Sequence, residues 1–187
     1  ATIHAMASLA EWRDTETGAH IKRTQNYVKA LALHMAGQPK YREQLDADVI
    51  SWLYLSAPLH DVGKVAIADT VLHKPGPLTD EEYEAMKTHT VHGRNVLAAA
   101  DKFLGEDSFL KMACDIAHCH HERWDGRGYP QGLKEEGIPL SARLMSLADV
   151  YDALRSQRVY KPAMSHESAA KIILDGRGTQ FDPDVVD

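Results

Sequence analysis

Apolar positions along the chain recur at three- and four-residue intervals, and no stretch sustains the two-residue alternation of a half-buried strand. This periodicity predicts a helix over Ile3 to Trp12 and another over His20 to Met35, where Ile21, Thr24, Val28, Leu31 and Met35 share one stripe. The second helix should stop at Gly37, with Pro39 beyond it. Asp46 is placed to cap a helix through Leu55, and Pro58 should break it just before a loop, Leu59-His60-Asp61-Val62-Gly63-Lys64. Thr79 and Glu82 have the spacing of a capping box opening a helix toward Met86. Further helices are expected from about Gly93 to Ala100, from Ser108 toward His120, from a Ser141 cap through Leu154, and from a Ser165 cap through Leu174. The glycines and proline of Trp124-Asp125-Gly126-Arg127-Gly128-Tyr129-Pro130 read as a loop. The expected fold is all-α: one helical bundle over residues 1–187, with polar motifs at helix ends and in loops.

Composition narrows this picture. The 187 residues, 44% hydrophobic and 26% charged, suffice for one buried core and are wrong for a disordered chain. No apolar run approaches the roughly 20 residues of a membrane span, and no basic patch precedes an apolar leader, so a cytoplasmic protein is expected. The chain opens on Ala1 and ends at Val185-Val186-Asp187, as expected of a piece excised from a longer regulatory protein. Cys114 and Cys119 match neither a CxxC pair nor a disulfide framework; both are expected to be buried as small apolar residues in a reducing compartment. The net charge of -6 disfavours a generic grip on polymeric nucleic acid, so an anionic ligand would need local cations. Eleven histidines are the unusual feature.

His60-Asp61 sits at a helix end within an apolar segment (Trp52, Leu53, Leu55, Leu59), where two buried polar side chains would need a partner. The alternative is a capped helix end with a satisfied core histidine. Adjacent residues on a helix point about 100° apart, so His120 and His121 can serve two neighbouring ions, or one ion if the backbone is distorted. A solvated helix end, favoured by Glu122 and Arg123, is the alternative there, and His118 reads as a bystander. His89 follows an amphipathic helix; Asp149 lies mid-helix among Leu147, Ala148 and Val150, with Asp152 one turn on. Glu16 and His20, four apart, would share one face of a helix start. Each could be a cap or salt bridge. Together, imidazoles and carboxylates without thiolate form the ligand set of Fe, Mn, Zn or Ni rather than Mg or Ca. Two such ions roughly 3.5–4 Å apart can bridge and acidify a water and clamp a phosphoryl group. A carboxylate must hold them together, and Asp61 is the candidate.

The motifs carry a resemblance across nearly the whole chain. Arg13-Asp14-Thr15-Glu16-Thr17-Gly18-Ala19-His20 comes first, then Leu59-His60-Asp61-Val62-Gly63-Lys64, then His89 with Gly93 after it. His120-His121-Glu122-Arg123-Trp124-Asp125-Gly126-Arg127-Gly128-Tyr129-Pro130 follows, and Ala148-Asp149-Val150-Tyr151-Asp152-Ala153 leads to Arg158-Val159-Tyr160-Lys161. In this order they resemble the HD-GYP phosphodiesterases, a branch of the HD superfamily. The resemblance implies hydrolysis of cyclic di-GMP to linear pGpG, and in some members on to GMP, by a metal-bridged water attacking phosphorus. It implies metal ligands at Glu16, His20, His60, Asp61, His89, His120, His121 and Asp149, holding two or three divalent ions, Fe or Mn first and Zn or Ni as alternatives. Asp61 and Lys64 are the implied catalytic residues, and Arg158 and Lys161 the pair on substrate phosphate. Tyr129, in the Gly-Tyr-Pro loop, is the implied contact to substrate or to a partner such as a diguanylate cyclase domain. Gln180 departs from the pattern, standing before Phe181-Asp182-Pro183 where many members have histidine. A non-catalytic dinucleotide receptor or partner-binding module is the alternative, but degenerate members lose ligands and this chain keeps them. An HD-type hydrolase of another nucleotide is disfavoured by the Gly-Tyr-Pro loop.

Overall fold

The computed structural model describes Ala7, Ala10 and residues 19–103, 108–157 and 163–187. Helix α1 (Ala19–Ala36) buries Ile21, Thr24, Val28 and Met35 from the expected stripe, while Leu31 lies half-buried and Ala32 takes the core position. Helix α2 (Ala47–Ser56) starts where Asp46 accepts the Val49 amide at 2.8 Å. The segment after it is not the open loop expected: Ala57–Leu59 and Val62–Ala66 are short 3-10 turns hinged at His60 and Asp61. Pro58, at the first turn, needs no amide partner there, so the chain tightens instead of opening.

Helix α3 (Asp69–Leu72) is a single turn, and α4 (Asp80–Lys87) begins with the full Thr79–Glu82 capping box. Helix α5 runs from His89 to Asp101, four residues ahead of its expected start at Gly93. The glycine misleads, because it is tolerated inside the helix for the close approach it permits. Ser108 caps α6 (Phe109–Cys119) as expected. Helix α7 (Leu140–Arg155) starts one residue before Ser141, which caps nothing; the Pro139 carbonyl accepts the first amides instead. Ser165 caps α8 (His166–Asp175), and α9 (Pro183–Val186) closes the described chain. No strand occurs among the described residues, apart from one bridge pairing Arg177 with Phe181. The helix expected over Ile3–Trp12 falls almost wholly outside them.

Helices α1, α2, α6, α7 and α8 enclose the main core, which includes Val28, Leu53, Ile116, Leu144, Met145 and Ile173. The opposite face of α6 presents Ala113 and Ala117 to a second core with Ile21, Leu59, Val62 and Leu97. Cys119 is buried, whereas Cys114 is only partly so, contrary to the reading of both as buried; both thiols are free.

Two glycines set the spacing between the His60-Asp61 turn and α5. A Cβ on Gly63 would overlap the His89 carbonyl oxygen and the Gly93 amide nitrogen. Backbone therefore packs on backbone, and His89 is drawn up to Asp61. Gly63→Ala is expected to destabilise the protein by about 1–3 kcal/mol or more. Gly137→Ala, where the added methyl meets open space, should stay within about 0.5 kcal/mol. Urea unfolding of both variants checks the contrast.

Candidate metal centre

Each of three buried histidines commits one ring nitrogen to a backbone carbonyl. His60 Nδ1 donates to Ala57 O at 2.9 Å, His89 Nδ1 to Met86 O at 2.7 Å and His120 Nδ1 to Ile116 O at 3.0 Å. A carbonyl can only accept, so Nδ1 carries the proton and Nε2 turns a lone pair inward. The helix ends make this possible: His60 closes the Ala57–Leu59 turn, His89 opens α5, and His120 caps α6.

Two groups of donor atoms result, Asp61 with His89, His120 and His121, and His20 with His60 and Asp149; within each, the atoms lie within 4.8 Å of one another. His120 and His121 thus converge on one group. The chain leaves helical geometry after the α6 cap, and their ring centroids come within 4.0 Å. Asp61 stands between the groups. Its Oδ1 lies 3.3 Å from His89 Nε2 and 3.6 Å from His120 Nε2, and its Oδ2 lies 3.4 Å from His60 Nε2 and 2.7 Å from the Lys64 ammonium. His60 Nε2 in turn lies 3.5 Å from His20 Nε2, which is 3.6 Å from Asp149 Oδ1. His118 belongs to neither group, as expected of a bystander.

The electrostatics favour a cation. Burial pushes His60 and His89 down to about 4 and His121 well below its ordinary value, so these rings are neutral, the form that can hold a metal. Burial opposes ionisation of Asp61, but the Lys64 ammonium beside it holds its carboxyl well below the usual range. Asp61 Oδ1, His89 Nε2 and His120 Nε2 are buried with no hydrogen-bond partner. All three are acceptors pointing at one another, an arrangement that costs roughly 1–3 kcal/mol per unmet group and that a metal ion satisfies. The residues fit a metal, and the nitrogen-rich, thiolate-free set is that of a transition metal.

Beside this centre opens a cleft of about 320 Å³, lined by Tyr83, His121, Arg127, Tyr129, Asp149 and Gln180 among others. Tyr129 stacks on His121 with centroids 4.8 Å apart, and its amide donates to the His121 carbonyl at 3.3 Å. Gly128 has no room for a Cβ against the His121–Arg123 backbone, so the Gly-Tyr-Pro loop presses on the ligand-bearing turn. Glu122, whose charge favoured the alternative of a solvated helix end, is 2% exposed, and its Oε1 accepts the Gln131 amide at 2.8 Å to tie that loop down. Tyr83 was missed because nothing in its helical stripe distinguishes it from surface. Asp152 was noted only for its spacing; buried, it accepts from His20 and Arg23, which hold its carboxyl down to about 2 against the opposing effect of burial. Glu16, Arg158 and Lys161 lie outside the described residues.

A profile of the HD domain family matches residues 8–185. The chain belongs to the HD domain family. It is a metal-dependent HD domain of helical fold, and the resemblance read from its motifs is borne out. A cyclic di-GMP phosphodiesterase of Vibrio cholerae is 60% identical over 99% of this chain and 38% of its own length. A probable cyclic di-GMP phosphodiesterase of the same organism is 55% identical over 100% of this chain and 43% of its own. The chain therefore spans about two fifths of these relatives. A crystal structure of a cyclic GMP-AMP specific phosphodiesterase of Vibrio cholerae shares the fold, with a TM-score of 0.66 at 20% identity over 98% of this chain and 46% of that one.

Because His60 and His89 titrate below their ordinary 6.5, the stability gained by keeping them neutral is complete above about pH 6.5. It falls as pH drops toward about 4, where the unfolded chain takes up protons that the folded HD domain refuses. Metal-free protein should lose about 1.4 kcal/mol per pH unit for each such ring across that window. Urea unfolding with a chelator at a series of pH values checks this, and a flat profile contradicts it.

Proposed function

We propose that this HD domain hydrolyses cyclic di-GMP to the linear dinucleotide pGpG, and in further turnover to GMP, with divalent ions held by the two donor groups. The observation that carries the reading is Asp61, whose two oxygens face different imidazole groups while Lys64 stands 2.7 Å from one of them. The relatives named as cyclic di-GMP phosphodiesterases, 60% and 55% identical, supply the substrate. Bound at these groups, divalent ions, iron or manganese before zinc or nickel, would supply Lewis-acid activation of water and of the phosphodiester.

The protein's own part is positioning. Asp61 ties the groups together, and Lys64 holds that carboxylate in place and offers positive charge beside the phosphate. Tyr129 and Tyr83 wall the cleft in which a nucleobase would lie. Arg158 and Lys161 are proposed as the phosphate clamp, Glu16 as the residue that would bring in a third ion, and the Gly-Tyr-Pro loop as a docking point for a diguanylate cyclase domain. A cytoplasmic location follows from such a substrate; no described helix is long and apolar enough to cross a membrane.

Incubation of metal-replete protein with cyclic di-GMP tests the reading. Turnover supports it, and tight binding without turnover replaces it with the receptor reading. Asp61→Ala should abolish hydrolysis with circular dichroism unchanged; near-parental activity would remove Asp61 from its role. Glu16→Ala should lose about one ion per chain and slow hydrolysis sharply. An unchanged metal count argues for two ions, with Glu16 outside the ligand set.

A further inference from the structure

Behind the His20, His60 and Asp149 group lies a second set of contacts that the metal-ligand pattern does not include. Asp152 is 1% exposed and sits one turn after Asp149 on α7. Its Oδ2 accepts from His20 Nδ1 at 2.8 Å. Arg23 grips the same carboxylate with both arms, Nε to Oδ1 at 2.6 Å and a terminal nitrogen to Oδ2 at 3.0 Å. That Arg23 nitrogen also donates to Ser156 Oγ at 2.7 Å, and Ser156 Oγ donates back to Asp152 Oδ2 at 3.2 Å.

The other ligand histidines anchor Nδ1 on backbone carbonyls of their own segment. His20 Nδ1 instead meets the Asp152 carboxylate of another helix, which Arg23 and Ser156 hold in place. A carboxylate partner fixes the tautomer with Nε2 unprotonated and makes that nitrogen a stronger ligand than a carbonyl partner would. The forked pairing with Arg23 leaves the carboxylate no freedom to rotate. We infer that Arg23 and Asp152 are positioning residues for the metal at the His20 group, fixing which nitrogen His20 presents and setting how tightly that one ion is held. This rests on the reading of His20, His60 and Asp149 as a metal group, given above.

The competing account is that Asp152 merely staples α1 to α7. The two accounts part on metal release. In wild-type protein loaded with zinc, transfer to a chromophoric chelator should show at least two classes of ion; a single class would defeat the two-group reading itself, before any variant is made. Asp152→Asn should speed loss of one class by roughly 10–100-fold and leave the other within about twofold. Arg23→Gln should shift the same class by less. A staple would instead lower thermal stability while both classes left at parental rates, or would loosen both alike; either result overturns the inference.

A measurement without substitution guards against a variant that fails to fold. In zinc-loaded protein with ¹⁵N-labelled histidine, the His20 imidazole should show a protonated, slowly exchanging Nδ1 and a ligated Nε2. A His20 ring protonated at Nε2 overturns the proposal whatever the variants do.

Discussion

A cluster of imidazoles can share one buried space only if none aims a proton at the others. The backbone carbonyls of Ala57, Met86 and Ile116 enforce that condition by taking the Nδ1 protons of His60, His89 and His120. Everything downstream depends on it. The inward faces become pure acceptors, the lowered proton affinity keeps His60, His89 and His121 neutral, and a metal cation satisfies the result. Left to itself, such a pocket would rearrange to find donors, so the surrounding protein must hold the acceptors in place.

The scaffold does this by close backbone approach rather than by large side chains. Gly63 rests on α5, and Gly93 lies against Ala117 of α6. Helices that carry the donor residues at their ends are thereby brought nearer than side chains elsewhere permit. Gly128 plays the same part for the Gly-Tyr-Pro loop, which Glu122 fastens from beneath. The main core, on the other face of α6, fixes α1 and α7, so His20 and Asp149 approach the site on rigid helices. Small residues at these junctions do more for the chemistry than their own side chains could.

Much of this was legible in the sequence because helix caps and histidine spacing are local signals. Asp46, Thr79 with Glu82, Ser108 and Ser165 all cap as their positions suggest. The misreadings came where local signals mislead. Gly93 resembled a helix boundary because its reason for being glycine lies in Gly63, thirty residues away. Ser141 resembled a cap, but Pro139 had already started the helix. Leu59–Lys64 resembled a loop, although two 3-10 turns are what send His60 and Asp61 to different groups. Glu122 lent weight to the alternative of a solvated helix end because its partner, the Gln131 amide, is on a loop that only the fold folds back. Asp152 had the right spacing, yet its role lies in contacts with α1 that no spacing reveals.

The charge distribution of the finished site explains how an acidic protein could bind a doubly anionic dinucleotide. Among the described residues, three carboxylates, Asp61, Asp149 and Asp152, stand around the donor groups against two cations, Lys64 and Arg23. Both cations are already engaged, Lys64 by Asp61 and Arg23 by Asp152, so neither offers its full charge to a ligand. Among the described residues the donor groups therefore carry net negative charge, which suits them to collect metal. Each divalent ion bound would reverse that sign locally, and at short range in a poorly solvated pocket the reversal dominates the formal net charge of -6 spread over the whole surface. Under the proposed function, affinity for the dinucleotide is thus set by metal loading first and by side-chain cations second. On that proposal, the acidic composition that disfavours a generic grip on polymeric nucleic acid would leave the metal-loaded cleft as the place to hold a small anion.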